Sequence, residues 1–305
     1  MPEHKQKISA AYLGVILIWS TTPLGIVWSG QGVHFTFPLF ARMAIGLSVC
    51  LLWLTLTRTS LPMDSNSRKS YLIAGSSIWL AMLCTYWGAQ FVTSGLISVL
   101  FGLSPILTGI MAWIWLHEES ASPLKFAGTI LGLIGLAAVF SDSLQLGENS
   151  HWGIAAVLMA VLAQAWGLVA VKRLKTSIPA VAQTAGALSV TVPLAGLSLL
   201  LLGEWPALIP TRAILATTYL GVFGSVMGFS LYYYLIKHLE TGRVALVTLI
   251  TPVTALLLGM VFNHEQLSIN MAAGTALILL GLVLYEWNML RNLGMTSWLH
   301  SSPRK

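Results

Sequence analysis

Long apolar stretches alternate with short polar breaks along nearly the whole chain. A helix needs roughly 20 apolar residues to cross a hydrocarbon core about 30 Å thick, because it rises 1.5 Å per residue. Ten stretches meet that length, at 8–28, 36–57, 70–90, 93–116, 123–140, 152–171, 181–202, 212–236, 243–263 and 268–287. The breaks between them hold turn-forming and charged residues: Asp64-Ser65-Asn66-Ser67, Glu118-Glu119-Ser120, Gly147-Glu148-Asn149, Lys172-Arg173 and Gly203-Glu204-Trp205-Pro206. Only a few residues separate the third stretch from the fourth and the eighth from the ninth. The segment from Met1 to Lys7 is polar and basic. The run after it exceeds a signal-peptide core and lacks a small-x-small cleavage site, so it predicts an uncleaved first helix.

Composition supports lipid as the solvent. The chain is 56% hydrophobic and 9% charged, where a soluble domain carries about 25% charged residues. The net charge of +6 comes from basic residues scattered singly or in pairs between apolar runs, a topology signal rather than a nucleic-acid surface. With ten spans and a cytoplasmic N-terminus, 14 of the 16 Lys and Arg residues fall in inside segments, from Lys5 and Lys7 through Arg58 and Lys175 to Lys305. Arg212 alone falls outside, and Arg42 lies within a span. One missed span would reverse every later loop, so the span count and the placement of both termini in the cytoplasm support each other.

The chain repeats itself. Tyr86, Ser94-Gly95, Pro105 and His117-Glu118 return as Tyr233, Thr241-Gly242, Pro252 and His264-Glu265, always 147 residues on, and Trp19 matches Trp166 in the same register. After one lost residue, Ala127-Gly128-Thr129 matches Ala273-Gly274-Thr275, and Gly135-Leu136 matches Gly281-Leu282. The two units are 8–140 and 151–287. Each holds five spans, an odd number, so the second must be inverted in the membrane. Inverted repeats are a recurring plan of secondary transporters, with the substrate site between the halves.

These residues carry a family resemblance. Ile18-Trp19-Ser20, Ala41-Arg42 and the paired blocks Ser94-Gly95…Pro105…His117-Glu118 and Thr241-Gly242…Pro252…His264-Glu265 resemble the EamA domain, and the whole chain resembles the ten-helix drug/metabolite transporter superfamily over about 8–287. The resemblance implies an all-α membrane protein, ten transmembrane helices as two inverted five-helix repeats around a central cavity. It also implies an exporter of small metabolites, often amino acids or related compounds, in the bacterial cytoplasmic (inner) membrane. The small multidrug branch of that superfamily carries a glutamate in its first helix. Here Trp19-Ser20-Thr21 stands in that region with no acid, so proton coupling through such a carboxylate is not expected.

Several residues are candidates for solute contact, each with a plainer reading beside it. Arg42 is permanently charged, and a charge in the bilayer should face the bundle interior, water or a partner. It either attracts a solute carboxylate or phosphate, or bonds helix-end carbonyls, or reaches toward the outer interface. Pro105 and Pro252 each remove a backbone donor and free a carbonyl one turn back, giving hinges or fixed kinks. Ser104 and Thr251 precede them and either face a solute or bond their own helices. Trp19, Trp79 and Trp166 lie deep in their spans and line a cavity or pack between helices. Trp28, Trp53, Trp115, Trp152, Trp205 and Trp287 fall near span ends, as belt residues do. Ser20, Thr21, Gln90 and Gln164 are polar neighbours, Gln164 more central than Gln90.

The remaining signals exclude more than they suggest. Neither His117-Glu118 nor His264-Glu265 has the second histidine of a zinc helix, and inversion puts them on opposite sides, so both read as helix-end residues and no metal is expected. Cys50 and Cys84 read as packing residues. Glu286 ends the last span near Arg291. Gly128/Gly132 and Gly224/Gly228 are GxxxG pairs, suited to close helix contact within one chain or in a homodimer. There is no Walker sequence, GxGxxG or nucleophile elbow, so no nucleotide cofactor is expected. The expected partners are a small-molecule solute and membrane lipids, without nucleic acid, for a monomer or homodimer. A secondary exporter working by alternating access is the leading reading. A membrane-embedded enzyme on lipid-linked substrates and a non-transporting membrane subunit are the alternatives.

Overall fold

The computed structural model describes residues 2–116, 122–146, 149–228, 230–231, 234–235, 241–266, 268–287 and 291. His117, Glu118, Gly147, Glu148, Tyr233 and Lys237 lie outside the described residues, as does the segment 292–305. The described chain is helical throughout, with short turns and no strand. The first three spans are α1 (Pro2–Ser29), α2 (Thr36–Leu56) and α3 (Ser65–Gly88). The fourth is split into α4 (Ser94–Phe101) and α5 (Ser104–Leu116). Then come α6 (Pro123–Leu146), α7 (Ser150–Arg173) and α8 (Ala180–Leu202). The eighth span opens as α9 (Thr211–Tyr219) and continues as a π-helical segment, π1 (Leu220–Met227). The last two are α10 (Thr241–Asn263) and α11 (Ile269–Tyr285).

Local chemistry sets the helix starts. Asp64 caps α3: its carboxylate accepts from the Ser67 backbone N–H at 3.1 Å and from the Ser67 hydroxyl. Those bonds hold the Asp64 carboxyl below its usual range. Thr93 caps α4 through Leu96 N–H, and Ser268 caps α11 through Met271 N–H.

The apolar faces suit lipid. Six segments are long and apolar enough to cross a bilayer by length and composition: Gln6–Ser29, Thr36–Leu56, Ser94–Leu116, Pro123–Ser141, Ser150–Arg173 and Ala180–Leu202. Leu249–Asn263 and Ile269–Tyr285 are shorter apolar helices. The serine-rich α3 satisfies its hydroxyls within the bundle: Ser76 and Ser77 bond back to Leu72 and Ala74 carbonyls, and Ser70 donates to Gln183. Leu200, Leu56 and Phe126 stay exposed, as lipid-facing side chains do.

The helices alternate in direction. Contacts at the end of the bundle that carries Trp28 join the C-termini of α1, α3 and α10 to the N-termini of α2, α4, α7 and α9. Trp28 meets Asn263 and Arg212, Glu265 meets Ser94, Gly88 meets Gly153, and Trp205 lies edge-on to Phe37.

Packing obeys the internal repeat. Three pairs cross the pseudo-two-fold axis, α2 with α8, α4 with α10, and α6 with α11. The other principal contacts come in matched sets. α3 on α7 is repeated by α9 and π1 on α1, α3 on α8 by π1 and α9 on α2, and α10 on α1 by α4 and α5 on α7. The α6–α11 crossing shows the symmetry atom by atom. A Cβ on Gly128 would sit 2.5 Å from Gly281 O, and one on Gly135 would sit 2.6 Å from Gly274 O. Gly128 and Gly274 are repeat mates, as are Gly135 and Gly281, so each glycine faces the mate of the other. Backbone lies on backbone at both points, which only glycine permits.

Candidate functional site

The stretch Trp19-Ser20-Thr21-Thr22-Pro23 crosses the middle of α1. Pro23 lies inside the helix and frees the Trp19 carbonyl one turn back. The hydroxyls beside it face different neighbours. Thr22 donates to Ile18 O at 2.7 Å and Thr21 to Leu17 O at 2.7 Å. With its proton so used, Thr21 Oγ1 accepts from Tyr219 of α9 at 2.6 Å. Ser20 is buried and pairs with Thr254 of α10, whose own hydroxyl donates to Ile250 O. Trp19 is half-buried, and its Nε1 lies 3.0 Å from where a Cβ on Gly228 would be. One helix of the first half thus engages two spans of the second through side chains four residues apart at most.

Arg42 stands on α2 beside this stretch and is 5% exposed. Its Nε donates to Ser225 Oγ of π1 at 3.2 Å. The Ser225 hydroxyl donates in turn to Leu220 O five residues back, the spacing of a π-helix, so its lone pair is turned to the arginine. Arg42 Nη1 meets Met82 Sδ of α3 at 3.9 Å, a weak acceptor. Nη2 lies 3.4 Å from where a Cβ on Gly224 would be, and Thr22 Oγ1 flanks the same point at 3.7 Å. No carboxylate pairs with Arg42 among the described residues.

A second polar group closes the Trp28 end. His264 takes a left-handed backbone, φ 52°, just past α10. That turn brings the Glu265 carboxylate onto the N-terminus of α4, where Oε1 accepts from Ser94 N–H at 2.9 Å and Oε2 from Gly95 N–H at 3.0 Å. Thr93 Oγ1 accepts from Leu96 N–H, so the free N–H groups of Ser94, Gly95 and Leu96 are all satisfied, and Ile97 N–H makes the first bond along the helix, to Thr93 O. Asn263 donates to Glu265 at 3.0 Å and accepts from Trp28 Nε1 at 3.0 Å, and the Arg212 guanidinium lies 4.0 Å over the Trp28 ring. Residues read as helix-end and belt positions form one chain linking α9, α1, α10 and α4. The sequence signal for it was the joint recurrence of Ser94-Gly95 and the His-Glu pair in the same register.

The other sequence candidates fall in separate places. Trp79 is half-buried on α3, one turn from Met82, with its Nε1 committed to Ser198 of α8 at 2.9 Å. Ser104 and Pro105 open α5 after the turn at Gly102-Leu103, so Pro105 restarts a helix where its missing N–H costs nothing. Pro252 lies inside the continuous α10. Thr251 is buried, and its carbonyl is approached by Ser98 Oγ of α4 at 3.5 Å. Gln90 is exposed at the end of α3. Gln164 and Trp166 are exposed on nearly opposite faces of α7, and Gly167 between them lies against Ser77 of α3. α1 and α7 share no extended interface among the described residues, and α4 stands between them, packed on both.

The smaller contacts are not all matched. α4 packs on α1 at the Trp28 end, with Val27 against the cluster that holds Leu96 and Ile97. Among the described residues its repeat-related counterpart, α10 on α7, makes no contact of comparable extent. Along this pair of contacts the Trp28 end is the more tightly joined of the two.

Known proteins agree with this architecture. The model of the EamA-like transporter family matches residues 7–141 and again 151–287. The chain is 27% identical over 300 residues to the uncharacterized transporter YoaV of Bacillus subtilis, covering 93% of this chain and 98% of that protein. It is 26% identical over 259 residues to protein PagO of Salmonella typhimurium, covering 83% and 84%. A solved crystal structure at 19% identity superposes with a TM-score of 0.66 over 93% of this chain and 98% of the other, a likeness of fold. The chain is a multi-pass membrane protein and belongs to the EamA-like transporter family.

Proposed function

We propose that the chain is a secondary transporter of the bacterial cytoplasmic membrane that exports amino-acid-like or other small metabolites by alternating access. The Trp28 end faces outward and both termini lie in the cytoplasm. The observation that carries the reading is the contact of α4 on α1 at the Trp28 end, which α10 on α7 does not match in extent among the described residues. Inverted halves that differ at a gate-forming contact differ in the way an alternating-access cycle requires, since exchanging the two arrangements exchanges the open end. Membership of a transporter family favours this over a membrane enzyme or a non-transporting subunit.

In the proposed cycle the solute enters between α7 and α10 and meets the hydroxyls and aromatic ring of Trp19, Ser20 and Thr22. Ser104, Gln164 and Thr251 complete the path, with Trp79 bracing α3, and the span formed by α4 and α5 with α10, which carry Pro105 and Pro252, rocks between the two closures. The test is a metabolite profile of the medium from cells with and without overproduction. Enrichment of a defined solute, abolished when the Trp28 end is locked by a cross-link between cysteines at positions 28 and 263, supports the reading. A medium unchanged by overproduction, together with no movement of any profiled solute into proteoliposomes, overturns it.

A further inference from the structure

We propose that the Arg42 guanidinium, seated between Ser225, Met82 and the bare backbone at Gly224, binds the carboxylate of the solute, so that the cargo is a small monoanion or zwitterion. The proposal rests on the transporter reading and names the chemistry of its site.

The first ground is charge. Arg42 is 5% exposed and presents a guanidinium, a donor-only cation. All ten acids of the chain lie between the spans or at their ends, and none in the described chain pairs with Arg42. A buried charge without a counter-charge is costly, and proteins that need such a group only for packing replace it with an apolar one at no loss. The missing anion is therefore supplied from outside the chain.

The second ground is geometry. Arg42 is six residues into α2, yet its partner Ser225 is fourteen residues into α9–π1 from the same end of the bundle. The side chain therefore runs toward the middle of the membrane, not outward as a snorkelling arginine does. Ser225 takes Nε, while among the described residues the hydrogen-bond partner at the Nη edge is a thioether. The free fork matches a carboxylate bidentately. Gly224 leaves space beside Nη2, and Thr22 Oγ1 borders the same space. Tyr86, one turn from Met82 on the same face of α3, is 2% exposed, and its hydroxyl has no partner among the described residues. A second orphaned donor on that face fits a ligand with several acceptors.

The third ground is the repeat. Features that build the fold recur in both halves: the prolines, the facing glycines and the Ser-Gly and Thr-Gly helix starts. Arg42 does not recur. Its mate 147 residues on is Ser189, which only bonds back to Ala185 O. The arginine therefore stands on one side of the pseudo-two-fold axis only, as one charged end of one solute would require.

The test uses purified full-length protein in detergent and reads the thermal midpoint. The probes are butanoate and 4-methylpentanoate against butanamide and 4-methylpentanamide, at fixed ionic strength. The acids should raise the wild-type midpoint by about 2 °C or more at saturating concentration, and the amides should not. Arg42→Gln without ligand should melt at or above wild type, because an unpaired buried charge is gone, and should respond to neither probe. Ser225→Ala keeps the charge but loses its orienting partner, and the acid concentration for half the shift should rise several-fold. A ligand-free Arg42→Gln midpoint clearly below wild type makes the arginine a structural strut and overturns the proposal. Equal shifts by acid and amide, a shift that survives in Arg42→Gln, or no shift by either acid also overturn it. Export followed in parallel separates the two readings. Intact export by Arg42→Gln without an acid-specific shift removes the subsite alone, and an acid-specific shift without export removes the transporter alone.

Discussion

The Glu265 carboxylate accepts the backbone N–H of Gly95 at 3.0 Å across the α4–α10 crossing, from a residue 170 positions later in the chain. With Ser94 N–H on its other oxygen, it joins the two spans that also carry the paired prolines. Hydrogen bonds to an ionised group contribute about 1.5–3 kcal/mol each, and Ser94 is fully buried. Glu265→Ala should therefore cost about 3 kcal/mol and lower the thermal midpoint by several degrees. Glu265→Gln keeps one acceptor oxygen and should cost about half as much. If the strap also holds the Trp28 end shut, both variants should raise labelling of a cysteine at position 22 by an impermeant maleimide applied from that side. A loss of stability with unchanged labelling would leave a helix cap and no gate.

The α6–α11 crossing gives a prediction with its own control. A methyl on Gly128 or Gly274 would lie within 3 Å of the partner backbone, which cannot swing away as a side chain can. Gly128→Ala and Gly274→Ala should each cost about 1–3 kcal/mol, and by similar amounts because the residues are repeat mates. A methyl on Gly132 would meet only the flexible ends of Ile106 at 3.4 Å and Leu103 at 3.5 Å. Gly132→Ala should stay within about 0.5 kcal/mol of wild type. Denaturation of the three variants in one detergent checks the ranking, and equal losses at 128 and 132 would contradict the facing-glycine geometry.

Those glycines show what the sequence made legible and what it did not. Span count and inversion follow from apolar run length and a register, both properties of the chain alone. The GxxxG of Gly128 and Gly132 does lie on the crossing, but it receives Gly281 from the other half, because contact depends on which faces meet across the axis. Trp28 read as a belt residue for the same reason: its ring and N–H are used by Arg212 and Asn263, spans away in sequence. Arg42 was visible from its charge, but its partners lie on π1 and α3, and the π-helical turn that aims Ser225 at it has no signature in residue types. Pro23, inside α1 beside the three candidate positions Trp19, Ser20 and Thr21, was the overlooked mark of that site.

Trp79 offers a test of bracing against solute contact. Its indole N–H spans α3 to Ser198 on α8 at 2.9 Å, and the Ser198 hydroxyl donates back to Leu194 O. Trp79→Phe and Ser198→Ala should each destabilise by about 1 kcal/mol, and the double variant should lose less than the sum, with a coupling of about 1 kcal/mol. Export by Trp79→Phe should stay within twofold of wild type. Additive losses would show that the two side chains do not share a bond, and a collapse of export with modest destabilisation would return Trp79 to the solute path.

Topology and gating are testable together by cysteine labelling after Cys50→Ser and Cys84→Ser. Leu208, 86% exposed in the segment before α9, lies at the Trp28 end, and Ser60, exposed in the turn after α2, lies at the other. An impermeant maleimide on intact cells should label Leu208→Cys and spare Ser60→Cys until the membrane is permeabilised. The reverse pattern would invert the orientation read from the Lys and Arg count. Gln164 is exposed on α7, so if it borders the proposed path Gln164→Cys should label from the Ser60 side. A transported solute that drives the other closure should slow that labelling and speed labelling at position 22. Opposite changes at two positions on opposite sides of the axis are what one exchanging gate produces. Parallel changes would instead indicate loosening of the whole bundle.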